Sequence, residues 1–386
     1  MVRRQLTTKT AFAVAIMLLL AGCHSATPRS RPSPTPRPPV ISGELLVAGD
    51  HGLELLTQSA DGTLAVTHSI DATHATQLFG LNVAPDGHAV TYTRDGDLFL
   101  RTLPDGVERQ LASHAGCASW APDGRHLSYL HEDDGLIVTD LQGHLTVVDR
   151  VKHETYGGAG GPIDGRSEVG CGHWLDPSRL AFSRVKAMPA TIHTNAASGN
   201  ANVPADTMTV ATLGGSAPKL LDSPLTWQVA RACGSHLLTQ TYDDHNSPLY
   251  LVNNPSDADF TSGTPLIAPT ARLEVRTDGV FFLPGSCQPA IFNVAGDGRA
   301  ELRQIDIGTR KVADHPLMRL GEGVGLDLPA YGRVTWPTDS TGQTAITTGD
   351  IHGQKSLMVV NLAAGTTAPL RLANGYVPSD VLAWLP

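Results

Sequence analysis

From residue 43 onward, apolar and polar positions alternate in short runs broken by Asp-Gly, Pro-Asp-Gly or Gln-Gly. Glu44-Leu45-Leu46-Val47-Ala48, Leu53-Glu54-Leu55-Leu56, Leu98-Phe99-Leu100 and Leu136-Ile137-Val138 are of this kind. A period of two sends successive side chains to opposite faces, so the pattern predicts short β-strands joined by tight turns. The 39 glycines and 27 prolines fall at turn-like intervals, which suits many short strands rather than a few long helices. The expected fold class is all-β.

The strands repeat. Val83-Ala84-Pro85-Asp86-Gly87-His88-Ala89-Val90-Thr91-Tyr92 returns as Trp120-Ala121-Pro122-Asp123-Gly124-Arg125-His126-Leu127-Ser128-Tyr129, with Gly87 and Gly124 37 positions apart (124 − 87). That spacing is the length of a four-stranded propeller blade. In Pro-Asp-Gly the proline sets φ, the aspartate bonds back to nearby N–H groups, and the glycine accepts the left-handed conformation that ends the turn. A second echo, an alternating strand beside a polar turn, begins at Leu53, Leu98, Leu136, Met208, Leu249, Leu302 and Leu357. Seven echoes predict seven blades. Residues 381–386 have the form of an inner strand lacking its Asp-Gly, and 44–48 that of a second strand lacking its inner neighbour. Joining them completes one blade from both chain ends and removes an exposed sheet edge. The expectation is a single β-propeller over 41–386, with seven four-stranded blades, closed by N- and C-terminal strands sharing one blade.

These motifs, strong over 79–150 and fainter over the rest of 43–386, resemble the WD40-like (PD40) repeats of TolB-type propellers. The resemblance implies a propeller and a binding role in the cell envelope. It brings no catalytic residue with it.

Residues 1–22 have a different character. Arg3, Arg4 and Lys9 precede an uncharged apolar run from Ala11 to Leu20. Ten residues at about 1.5 Å each do not cross a hydrocarbon core of about 30 Å, so this is an export signal, of the Sec or the twin-arginine kind. Leu20-Ala21-Gly22-Cys23 resembles the lipobox of bacterial lipoproteins, which implies cleavage before Cys23 and a diacylglyceryl group on its thiol. Residues 23–40 are then the lipidated cysteine and a Pro/Ser/Thr/Arg stalk, semi-stiff because its prolines favour polyproline II. Arg29, Arg31 and Arg37 would sit near anionic lipid. Without the three basic residues of 1–22, the net charge falls from −9 to −12. Nucleic acid is excluded as a partner on that balance. The expected location is the outer face of the bacterial cytoplasmic membrane.

With strands A to D counted outward from the axis, A–B and C–D turns share one face of a propeller, and B–C and D–A connections the other. The long segments 153–166, 186–206, 284–299 and 315–331 read as loops on the second face. They nominate His153, Tyr156, Arg166, Lys186, His193, Arg299, His315 and Tyr331 as binding-face residues. The stalk joins at a B strand, so the short-turn face is expected to look toward the membrane.

Catalytic signatures are missing. There is no Gly-x-Ser-x-Gly elbow, and neither His131-Glu132 nor His153-Glu154 extends to H-E-x-x-H. The glycines of 157–161 precede no helix, Glu132-Asp133-Asp134 and Asp243-Asp244 read as solvated turn tips, and the 16 histidines are scattered without pairing. Four cysteines besides Cys23 allow three disulfide pairings in an exported protein. Cys117 and Cys171 each stand three residues before a tryptophan, which makes them the favoured pair. Cys233 falls near an A–B turn and Cys287 near a B–C loop, on opposite faces, so their pairing is less secure.

The expected function is therefore a monomeric, non-enzymatic module that binds an envelope protein or glycan, without cofactor or metal, and meets the membrane through its lipid alone. The alternatives are a glycosidase- or lyase-like enzyme with acid/base residues converging on the central channel, and a ligand-capture or sensor subunit of a transporter. Replacing Cys23 with alanine is expected to shift the protein from the membrane to the soluble exported fraction on fractionation. Retention in the membrane pellet would refute the anchor.

Overall fold

The computed structural model describes residues 39–50, 52–71, 78–104, 106–150, 152–158, 161–167, 169–189, 202–223, 227–241, 249–253, 280–294, 299–327 and 336–385. Apart from one 3-10 turn at Ala373–Gly375, these residues form strands and turns. Seven small antiparallel sheets make a seven-bladed propeller. Blade 1 combines Asp380–Leu385 with Glu44–Gly49, Gly52–Gln58 and Thr63–Asp71, and Arg371–Leu372 runs parallel to the last of these. Blade 2 holds Phe79–Val83, Ala89–Arg94, Asp97–Thr102 and Glu108–Ala112; blade 3 holds Ala115–Trp120, His126–His131, Gly135–Asp140 and Leu145–Asp149. Blade 4 holds His173–Asp176, Arg179–Pro189, Asn202–Thr212 and Lys219–Asp222, and blade 5 has Trp227–Cys233, His236–Thr241 and Leu249–Asn253. Blade 6 holds Val280–Phe282, Pro289–Val294, Ala300–Asp306 and an outer strand in two pieces, Lys311–Val312 and Met318–Arg319. Blade 7 holds Val324–Leu326, Thr344–Ile351, Gln354–Asn361 and Thr366–Pro369. All seven echoes of the sequence are third strands.

Alternation explains why the sheets stack. Leu45 and Val47 pack toward blade 7, whereas Leu46 and Ala48 pack toward blade 2. Each blade therefore has two apolar faces and needs two neighbours. The buried residues fall into seven clusters, one for each neighbouring pair of blades. An open row of seven sheets has six such interfaces. The seventh, where Ile346, Leu357 and Val359 of blade 7 meet Leu45, Val47 and Leu56 of blade 1, closes the ring.

Closure is made by backbone pairing of the two chain ends, with Leu45 opposite Trp384 and Leu46 opposite Ala383. The Trp384 indole donates to the Ser42 carbonyl (2.5 Å), and the Ser379 N–H and hydroxyl both donate to the Ala48 carbonyl (2.9 Å each). The Pro-Asp-Gly turns follow the expected chemistry. The His88 and Arg125 N–H groups donate to Asp86 and Asp123 (3.1 and 2.9 Å), and Gly87 and Gly124 sit at φ 75° and 66°, which only glycine adopts without strain.

A further device recurs at the axis. The inner strands of blades 2 and 3 carry a register shift ahead of Asn82 and Ser119. Each of these two carbonyls accepts a hydroxyl from its own blade and an indole from the next. The Asn82 carbonyl takes Thr91 Oγ1 (3.2 Å) and Trp120 Nε1 (3.3 Å); the Ser119 carbonyl takes Ser128 Oγ (3.3 Å) and Trp174 Nε1 (2.9 Å). The two side-chain donors reach each carbonyl from both blades and so link neighbouring inner strands. In blade 7 the Asp327 carbonyl takes Thr347 Oγ1 (3.0 Å) and Trp336 Nε1 (2.9 Å) in the same way, from within one blade.

Several loops expected from the sequence are strands. Lys152–Gly158 and Gly161–Ser167 pair as a hairpin, and Arg179–Pro189 pairs with Asn202–Thr212 along its whole length, so both segments leave the disc as β-structure lying side by side. Arg184 ties their roots together, with Nε 2.9 Å from the buried Asp149 at the end of blade 3 and Nη1 3.3 Å from Asp222. Residues 284–299 contain strand Pro289–Val294 and are not one loop. Replacing Trp174 with phenylalanine keeps most of the buried ring but leaves the Ser119 carbonyl without its interblade donor. Ser128 still donates to that carbonyl, so the expected cost is about 0.5–1.5 kcal/mol, read as a lower midpoint in urea unfolding with an unchanged slope.

Candidate active site

The first strands of successive sheets lie beside one another around the axis. Two of them carry ionisable groups that act on each other, His173 in blade 4 and Arg231 in blade 5. They stand at matching heights, His173 opposite Ala181 and Arg231 opposite Leu238 on the second strands. Protein packed around the His173 ring disfavours its charged form, and the Arg231 guanidinium disfavours it further, so its pKa is pushed down to about 4. At neutral pH this imidazole is uncharged and lies within electrostatic reach of a fixed cation. That pairing of a base with an anion-binding group is what abstraction of a proton α to a carboxylate requires.

The flanking cysteines hold these strands. Cys117 is bonded to Cys171, two residues before His173, and Cys233 to Cys287, two residues after Arg231. The first bond joins blades 3 and 4, and the second joins blades 5 and 6. Cys287 lies in the A–B turn between Val280–Phe282 and Pro289–Val294, not in a B–C loop. The expected separation of Cys233 and Cys287 onto opposite faces is corrected accordingly.

The nominated binding-face residues are dispersed. His153 opposite Arg166, and Tyr156 opposite Ile163, sit on the first hairpin, and Lys186, opposite Ala205, sits on the second. Arg299 is exposed just before the third strand of blade 6. His315 lies between the two pieces of that blade's outer strand, so it belongs to the rim and not to the connection toward blade 7. His193 and Tyr331 fall outside the described residues, as does Asp243-Asp244.

Nor are the histidines all unpaired. In blade 3, His126 lies 3.0 Å from Asp123, His144 2.7 Å from Asp140, and His131 3.3 Å from Asp134. His126 lines a cleft of about 210 Å³ between blades 3 and 4 on the short-turn face, with Thr146 and Ser178. The reading missed His173 and Arg231 because neither lies in a chemical motif. The available signal was their shared distance of two residues from a cysteine.

No family model matches the chain, and no curated protein sequence matches it. Solved structures do. An oligogalacturonate lyase in complex with manganese is similar at a TM-score of 0.52 and 15% identity, over 87% of this chain and 89% of that one. The oligogalacturonate lyase of Vibrio parahaemolyticus gives 0.51 and 13%, over 86% of each chain. TolB from Acinetobacter baumannii gives 0.35 and 13%, over 71% and 65%. At these identities the likeness is one of fold.

The expectation of a non-enzymatic protein is thereby overturned. It rested on missing motifs and a missing hydrolase domain, yet a lyase whose chain is covered to 89% by this same propeller has no need of a second domain of that size. Manganese finds no counterpart here among the described residues, which contain no group of three His, Cys, Asp or Glu able to hold a metal ion.

The depressed His173 pKa has a consequence for stability. Between about 6.5 and about 4 the unfolded chain binds a proton that the folded one refuses, so stability falls as the pH drops through that window and levels off below it. In His173→Asn, urea midpoints measured from pH 7 to 4 should lose this component of the decline. A decline identical to that of the parent protein would show that the ring titrates normally.

Proposed function

We propose that this protein is an exported enzyme, tethered through Cys23, that cleaves uronic-acid-containing glycans by β-elimination at the channel between blades 4 and 5. The observation that carries the proposal is the placement of His173 and Arg231 at matching heights on the inner strands of blades 4 and 5, each two residues from a disulfide, with the imidazole held uncharged by burial and by the Arg231 charge. A uronate residue bonded through its C4 oxygen has an acidic C5–H next to its carboxylate. Arg231 neutralises that carboxylate and makes the C5 proton easier to remove. His173 takes the proton, the C5–H electron pair becomes the C4=C5 double bond, and the C4–O bond breaks. The leaving oxygen then takes the proton back from His173.

A bound carboxylate also offsets the Arg231 charge, the lesser of the two causes that depress His173. The oligogalacturonate lyases that share the fold act on a substrate of this class. Leu20-Ala21-Gly22-Cys23 supports the tether and the extracytoplasmic location.

Incubation of the full-length protein with oligogalacturonate should produce ultraviolet absorbance from the unsaturated uronate, and none with a uronate-free oligosaccharide. His173→Ala should lower kcat by about 10²–10⁴-fold, the usual contribution of a positioned base. Arg231→Gln should lower kcat/KM, with partial recovery in Arg231→Lys. Absence of unsaturated product from the parent protein, or unchanged turnover in His173→Ala, refutes the assignment.

A further inference from the structure

The chain enters the ring on the face that carries the A–B and C–D turns. Gln58, at the end of the third strand of blade 1, accepts the Ile41 N–H on Oε1 (2.8 Å) and donates Nε2 to the Pro39 carbonyl (2.9 Å). Cys23 precedes Pro39 by 16 residues (39 − 23). Even fully extended as polyproline II, at about 3.1 Å per residue, such a leash reaches about 50 Å. Such a leash is attached on the entry face, which lets that face reach the bilayer.

That face is unusually apolar for a set of turns. Six large hydrophobic side chains are exposed among the described residues, and four of them are here. Val40 (79% exposed) is at the point of entry, Val107 (85%) and Leu141 (38%) are in the C–D turns of blades 2 and 3, and Leu145 (63%) begins the outer strand of blade 3. Of the other two, Val66 is on an outer strand and Phe79 begins an inner strand at the opposite face. Arg109 Nη2 donates to the Leu141 carbonyl (3.1 Å), tying the turns of blades 2 and 3 into one patch.

The carboxylates on this face are ionised and held by local donors. Asp86 and Asp123 accept N–H groups of their own turns, and Asp140 accepts the His144 N–H at 2.8 Å while its Oδ2 meets the His144 ring at 2.7 Å. Arg109, Arg125 and Lys219 remain as exposed cations on the same face. Apolar tips among charges of both signs suit an interface where hydrocarbon meets lipid headgroups that carry both.

We propose that Val107, Leu141 and Leu145 seat in the lipid interface, so that the short-turn face rests on the membrane and the two hairpins stand away from it. This inference rests on the Cys23 tether and is independent of the chemistry assigned to His173 and Arg231.

The test is hydrogen exchange of the acylated full-length protein in phosphatidylcholine/phosphatidylglycerol vesicles and, separately, in detergent. Amides of residues 103–109 and 140–146 should exchange several-fold more slowly on vesicles, while those of 152–167 stay unchanged. The double variant Val107→Asp with Leu145→Asp, both positions being solvent-exposed, should still sediment with vesicles yet lose that protection. Sedimentation without protection of the two turns overturns the docking face but leaves the tether standing. Failure to sediment overturns the tether itself. Slowing in detergent that grows with protein concentration would assign the patch to a second copy of the chain and overturn the proposal.

Discussion

Every blade of this protein has two apolar faces, and the structure depends on none being left in water. A row of such sheets always leaves two faces uncovered; only a ring leaves none. The pairing of Glu44–Gly49 with Asp380–Leu385 is thus the constraint from which the rest follows. It turns six interfaces into seven, brings residues more than 330 positions apart into hydrogen-bonding contact, and fixes which ends of the strands form each face. Neighbouring inner strands are also linked directly, since a carbonyl beside a register shift accepts the indole of the following blade in two consecutive places.

Catalytic capacity in such a scaffold comes from what the ring brings together. His173 and Arg231 are 58 positions apart (231 − 173) and lie on different sheets. Neither is remarkable alone. On adjacent inner strands they set an imidazole within electrostatic reach of a permanent cation, and burial together with that cation keeps the imidazole uncharged.

The repeat was legible in the sequence because its turns are local chemistry. Pro-Asp-Gly dictates its own conformation, and the period of two shows in any strand buried on both faces. The seven third strands and the latch at Trp384 could therefore be found without a structure. Legibility failed where conformation is set by a partner strand. The alanine-, asparagine- and threonine-rich stretch around Lys186 reads as a loop, yet Arg179–Pro189 and Asn202–Thr212 extend each other through eleven paired positions. Cys287 was misplaced because its turn lacks Pro-Asp-Gly, so the repeat had no landmark from which to count. His173 stayed hidden for a deeper reason: its character is given by Arg231, and no spacing within one blade encodes the blade beside it.

The two disulfides divide the ring unequally. One binds blade 3 to blade 4, the other blade 5 to blade 6, and neither crosses the seam between blades 4 and 5, where Leu175, Met208, Ala232 and Leu237 pack. Blades 3 to 6 therefore behave as two riveted plates with a single unriveted joint between them. His173 and Arg231 stand on opposite lips of that joint, so any breathing of this half of the disc is felt as a change in the gap between a base and its cation.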